Sequence, residues 1–211
     1  MKPSYILYFL IGSLVVISGC ATMANVKDTS DVYKSSAIEG APTILLVDLS
    51  DNRVDKTTIG QIGMMENFKT DIPINVALTD RIAMRLKAEG LNVKKVSSFE
   101  WKDSSKISEL IKTNNGASLI AGTLDNFFIS SFDPVLDTVK GQATFYIKIF
   151  DAQGQLVFSR NYESRAEHWA GLSSVTAFLS DKPGAEKTIE KCLQGCVNTL
   201  FEDAEFKKFL R

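Results

Sequence analysis

The chain is poor in the residues that carry most enzyme chemistry. Among 211 residues there is one histidine, His168, and three cysteines, Cys20, Cys192 and Cys196. It contains no nucleophile elbow, no HExxH pair, no phosphate-binding loop and no glycine set of a dinucleotide fold. A lone His acts as a base only with an evident nucleophile or carboxylate partner, and no catalytic motif supplies one for His168. An excess of one charge is missing too. Lys and Arg number 24 against 25 Asp and Glu. Removing residues 1–19 takes away Lys2 alone and leaves 23 against 25, a net charge of −2. That balance excludes a nucleic-acid footprint, and no basic cluster marks a surface for anionic head groups. Beyond the N-terminus no apolar run is long enough to span a membrane, and there is no internal repeat and no second domain. Neither a cofactor nor a metal is expected.

What the chain does have begins at its N-terminus. Lys2 supplies a positive start, Tyr5 to Ile17 is an uncharged apolar run, and Ser18 and Gly19 lead into Cys20. As a helix this run would be about 20 Å long, short of a hydrocarbon core of ~30 Å. The order is that of a secretory signal. Ile17-Ser18-Gly19-Cys20 resembles the lipobox of bacterial lipoproteins, and the resemblance implies cleavage before Cys20 and acyl chains on it. Two or more chains would hold the protein stably, where one holds weakly. A plain signal peptide or an uncleaved anchor is the other reading of the same residues. Ala21, rather than Asp, after the cysteine leans towards the outer membrane.

Three stretches follow: a signal over 1–19, a lipidated flexible tether over 20–41, and a globular domain over 42–211. Residues 21–41 are small, polar and aperiodic. Stretched out they would reach about 70 Å. Thr43 to Leu49 is a nearly continuous apolar run, the pattern of a buried strand. Residues 51–70 read as a loop. The spacing of Val76, Thr79, Ile82, Ala83 and Leu86 predicts a helix from Pro73 to Glu89, capped by Asp71 and stopped at Gly90. Leu91–Val96 is a second strand. Asp103 or Ser104 caps a short helix with Ile107, Leu110 and Ile111 inward, ended by Asn114-Asn115-Gly116. A third strand runs from Ala117 to Ile129 and breaks at Asp133-Pro134. Ala143, Phe145, Ile147 and Ile149 alternate with Thr144, Tyr146 and Lys148 in a fourth. Asp151-Ala152-Gln153-Gly154 turns into a fifth with Leu156, Phe158 and Tyr162. Residues 170–182 are loop. A last helix from Ala185 turns Ile189, Leu193, Cys196, Val197 and Leu200 inward, with Phe206, Phe209 and Leu210 on a final amphipathic turn. The fold class is α/β: a single mixed β-sheet with helices packed mainly on one face.

The chain resembles the YajG-like bacterial lipoproteins. The matching residues are Ser18-Gly19-Cys20, Asp51 to Asp55, Leu86-Lys87-Ala88-Glu89-Gly90, Arg160-Asn161-Tyr162, Lys187-Thr188-Ile189 and Phe206-Lys207-Lys208-Phe209. The resemblance implies an outer-membrane lipoprotein, facing the periplasm, without assigned chemistry.

Asp51, Arg53 and Asp55 follow the first strand, where open α/β sheets tend to bind ligands. Arg53 could offer a forked donor to a partner, with Asp48 near the same edge. Ordinary turn chemistry explains the same residues. Cys192 and Cys196 share one helix face, either as buried thiols or as a disulfide. Phe127, Phe128, Phe132, Phe145 and Phe150 are core, or else they line a groove for a lipid. The apolar stretch Ala170–Ser180 covers the core or meets a partner. Together these point to a non-enzymatic protein, held to the membrane through Cys20, that binds an envelope protein or cell-wall component. The alternative is a lipid or glycan carrier serving a transport or secretion machine.

Overall fold

Ile44 to Val47 pack on both sides, which is why they appear in sequence as an unbroken apolar run. Ile44 and Leu46 face the larger core, and Leu45 and Val47 face a smaller one on the opposite side. The computed structural model describes residues 22–26, 42–62, 66–96, 103–131, 138–169 and 182–210. Cys20, Asp133-Pro134 and the loop from Ala170 lie outside the described residues. The strands are β1 (Thr22–Ala24), β2 (Thr43–Val47), β3 (Ser50–Asp51), β4 (Gly60–Ile62), β5 (Glu66–Thr70), β6 (Asn92–Val96), β7 (Ser118–Ser131), β8 (Thr138–Asp151) and β9 (Leu156–Trp169). The helices are α1 (Ile74–Ala88), α2 (Ser104–Thr113), α3 (Lys182–Glu202) and α4 (Ala204–Lys208).

All nine strands join one mixed, curled sheet built on β7. Along one side of β7 lie β2, β3 and β4 in turn, each parallel to it. β6 continues the sheet beyond β2, and β5 and then β1 continue it beyond β4. Along the other side β8 and β9 form a long antiparallel meander. Helices α1, α3 and α4 cover one face over the main core, and α2 covers part of the other through Ile107 and Ile111.

A bulge keeps β7 in register with this core. Ile120 and Leu124 face the main core, and so do Phe127 and Ile129, of opposite parity. The β7–β8 pairing shifts between Leu124 and Asn126, leaving Asp125 as the extra residue. Without that insertion Phe127 and Ile129 would point to the uncovered face. Helix α3 lies close on β8 and β9 because the surfaces between them are small. A Cβ at Gly141 would meet Thr188, and one at Gly195 would meet the Ser164 hydroxyl.

Several expectations are corrected. Residues 51–70 are not a loop throughout, since β3, β4 and β5 lie there. Only Phe68 of β5 is a large side chain buried in the main core, so no two-residue apolar period announces the strand. Asp71 does not cap α1. Pro73 is the N-cap, without a side-chain bond, while the Asp71 carboxylate accepts from the Val26 and Ile72 amides, each at 3.0 Å. The tether loses its beginning. β1 pairs with β5 from Thr22 to Ala24, and Ala24 and Val26 are buried. Three residues are too few to show a period, so β1 is silent in the sequence. Residues 27–41 lie outside the described residues. β9 continues through His168 and Trp169.

Candidate functional site

The segment from Asp51 to Ile59 leaves the sheet after β3 and returns to it at β4. Both ends are pinned to β7. The Asn52 amide donates to the Leu124 carbonyl at 2.9 Å, and the Ile129 amide donates to the Ile59 carbonyl at 2.8 Å. The departure point faces the Asp125 bulge, whose carboxylate accepts from the Asn52 side chain at 3.2 Å.

Inside this loop Arg53 turns inward, its side chain 5 % exposed. Its guanidinium grips the Asp51 carboxylate at both ends, Nε to Oδ1 at 2.9 Å and Nη2 to Oδ2 at 2.7 Å. It also donates to the Lys56 carbonyl at 3.0 Å and the Thr58 carbonyl at 3.4 Å. The two parallel bonds fix the planes of both groups, and a charge-assisted pair of this kind is stronger than a neutral one. Burial alone would raise the Asp51 carboxyl, but the hydrogen bonds and charge of Arg53 outweigh it and hold the group below the usual carboxylate range. Asp55 folds back on its own turn. Its Oδ1 accepts from the Thr57 hydroxyl at 2.8 Å and from the Thr57 and Thr58 amides at 2.8 and 3.0 Å. These bonds, led by the Thr57 hydroxyl, hold its carboxyl well below the ordinary value.

The three residues picked out from sequence therefore carry the turn chemistry that is one of their two readings. Asp51 and Arg53 buckle the loop, and Asp55 shapes its turn. Reversing the charge at Arg53 would set two carboxylates against each other in a buried site, so that change would disturb the loop itself. The apolar side chain presented outward is Val54, fully exposed among the exposed polar residues Asn52, Asp55, Lys56 and Thr57. An isolated apolar residue inside a polar turn was its only sequence signal. Asp48 stands apart, paired with Lys95 at 2.9 Å; Lys95 also reaches Asp80 at 2.6 Å.

The other candidates resolve as packing. Phe127, Phe145 and Phe150 are buried within the two cores, and Phe145 stacks on Tyr162 at 5.3 Å. Phe128 is exposed without them, and Phe132 lies outside the described residues. Phe127, Phe145 and Phe150 are thus core, and the described rings form no groove for a lipid. A cleft between the end of α1 and the α3–α4 corner, lined by Glu89, Leu91, Phe201, Lys207 and Leu210, holds about 180 Å³, below the ~300 Å³ at which ligand pockets begin. Cys192 and Cys196 are buried free thiols. The Cys196 thiol is pushed well up by its contact with Cys192 and by burial. His168 is half-buried and stands opposite Val139 in the β8–β9 ladder. Among the described residues no group of three or more His, Cys, Asp or Glu is placed to hold a metal ion.

A polar cluster that sequence reasoning missed joins β9 to the C-terminal helices. Asp203 caps α4 by accepting from the Glu205 amide at 2.9 Å. Its other oxygen accepts from the Tyr162 hydroxyl at 2.7 Å and from Arg160 at 2.6 Å, and Arg160 also binds Glu205. Arg160 and Tyr162 are spaced to lie on one strand face, but nothing in the sequence pairs them with residues some forty positions away.

No family model matches the chain, and no curated protein matches it in sequence. Solved structures resemble it to differing degrees. Protein XCC0632 from Xanthomonas campestris has a TM-score of 0.52 at 10 % identity, over 90 % of this chain and 98 % of its own. The hypothetical protein CT253 from Chlamydia trachomatis has a TM-score of 0.48 at 9 % identity, over 79 % and 96 %. Lipoprotein GNA1162 from Neisseria meningitidis has a TM-score of 0.38 at 11 % identity, over 65 % and 90 %. At 10 % identity the likeness to the Xanthomonas protein shows the fold alone, and the chain is assigned to no one family.

Proposed function

We propose that this is a non-enzymatic lipoprotein of the bacterial envelope, anchored in the outer membrane by acyl chains on Cys20 and facing the periplasm. The observation that carries the reading is the short apolar run ending in Ile17-Ser18-Gly19-Cys20. A fold it shares with bacterial proteins that include lipoproteins supports it, and the likeness to YajG-like lipoproteins belongs to the same proposal. The protein acts by being held at the membrane and capturing another envelope component there, because confinement raises its effective concentration near a partner.

The surface proposed for that capture is the loop buckled by Asp51 and Arg53 and shaped by Asp55. A braced loop loses little conformational freedom on binding, and an exposed apolar tip such as Val54 gains by being covered. A photo-crosslinking residue placed at Val54 in the native, acylated protein should trap a discrete envelope component. Val54→Asp should reduce that capture severalfold when probed from a second position, Lys56, with the folding midpoint unchanged. Undiminished capture by the Asp variant would remove the loop from the proposal.

A further inference from the structure

The direction of β1 decides which end of the domain meets the membrane. β4 runs with β7, β5 runs against β4, and β1 runs with β5. Thr22 therefore lies at the end of the sheet where β7 finishes at Ser131, β8 begins at Thr138 and β9 finishes at Trp169. The far end of β1 is fastened into the domain by more than its ladder. The Asn25 amide donates to Glu186 of α3 at 3.0 Å, the Val26 amide to Asp71 at 3.0 Å, and the Asp71 amide to the Ala24 carbonyl at 3.3 Å. Ala24 is wholly buried in the main core. Only two residue steps separate Cys20 from Thr22, and they span at most ~7 Å.

We infer that the protein has no working tether and that this end of the sheet rests directly on the phospholipid bilayer. The inference rests on acylation of Cys20 as proposed above. Acyl chains on that residue sit below the head groups, so the first paired residue can stand no more than a few ångströms above them. Met23 suits such a boundary. It is 46 % exposed on the face away from the helices, beside Lys69, its partner in β5. An apolar side chain next to a cation matches the junction of acyl chains and phosphates. The β8–β9 hairpin at Gln153 then points away from the membrane, on the order of 40 Å along the strands from Asn67. The Asp51–Ile59 loop lies between these levels, close enough to the bilayer that its partner is a membrane-proximal one.

Fluorescence quenching tests the orientation. Bimane is attached at Asn67→Cys or at Gln153→Cys in the acylated full-length protein, where Cys192 and Cys196 are buried and Cys20 is blocked. The proteins are placed in phosphatidylethanolamine–phosphatidylglycerol vesicles carrying head-group nitroxide lipid. Quenching at residue 67 should exceed that at residue 153 at least threefold. A flexible Gly-Ser segment of twenty residues inserted between Ala21 and Thr22 should erase the difference while membrane association persists. Equal quenching at both positions, with fatty-acid label on Cys20, would sink this inference alone. Absence of that label would sink the anchor reading with it.

Discussion

Replacing Arg53 by Met would leave the Asp51 carboxylate as half of a buried pair. Their side chains are 5 % and 10 % exposed, and removing one member of such a pair costs about 3 kcal/mol because the other stays desolvated and alone. Arg53→Met should lower the unfolding free energy by that amount, read as a lower urea midpoint at unchanged slope, and free the loop to proteolysis, whereas Val54→Asp should change neither. Equal midpoints for Arg53→Met and the parent would mean that the buckle contributes nothing. The Asp203 cluster gives the fold a pH signature. Burial would raise the Asp203 carboxyl, but the Tyr162 hydroxyl, two backbone amides and Arg160 outweigh it and lower the group in the folded state. A carboxylate lowered on folding contributes stability that is present above its unfolded value of ~3.9 and lost as pH falls through the folded value. Tyr162 is shifted the other way, raised by burial and then by its bond to Asp203. Its contribution is full below ~10 and lost as pH rises beyond that. Urea midpoints measured from pH 7 down to pH 2.5 should fall less steeply in Asp203→Asn, which keeps an amide oxygen for the α4 cap, than in the parent. Parallel slopes would remove Asp203 from the acid response.

At the scale of elements, glycine marks where strands approach too closely for a side chain. A Cβ at Gly122 would lie 2.0 Å from the Tyr146 carbonyl oxygen and 2.8 Å from Leu49. Gly122→Ala must therefore push β7 from β8 in the middle of the sheet, at a cost of about 1–3 kcal/mol or more. Amide exchange should accelerate along β7 and β8 and leave α2 untouched; unchanged protection would mean that the strands are not held so closely there. The elements legible in the sequence include those long enough to show a period, α1, α2, β7, β8, β9 and α3, together with β2, whose two buried faces leave a solid apolar run, β6, expected at Leu91–Val96, and the final turn that holds α4. Asp103, expected as a cap, accepts from the Ser105 amide at 2.9 Å, and Gly154 takes the positive φ of 76° its turn demands. The illegible elements are β1, β3, β4 and β5, of two to five residues each. β3 and β4 are strands because β7 offers them a partner, β5 because β4 does and β1 because β5 does, and neighbours in space leave no trace in a local pattern. The candidate site was half legible. Asp51, Arg53 and Asp55 stood out as charged turn residues, but a guanidinium facing outward and one facing its own loop have the same sequence.

At the scale of the whole molecule, one mixed sheet with three helices on one face and one on the other is what strands alternating with helices and ending in a meander imply. Thr22 to Val26 read as tether because composition reports how polar a segment is, not whether a neighbouring strand edge is free to receive it. With β1 in the sheet, the anchor proposed at Cys20 becomes part of how the domain is oriented. Cys20→Ser should therefore release the protein from the membrane fraction without shifting its unfolding midpoint. The most direct measurement is the intact mass of the native protein extracted in detergent, with fragmentation of its first peptide. The expected result is a chain beginning at Cys20 and carrying a diacylglyceryl thioether with a further acyl group on its amine. A chain beginning at Met1, or an unmodified thiol at Cys20, would contradict it.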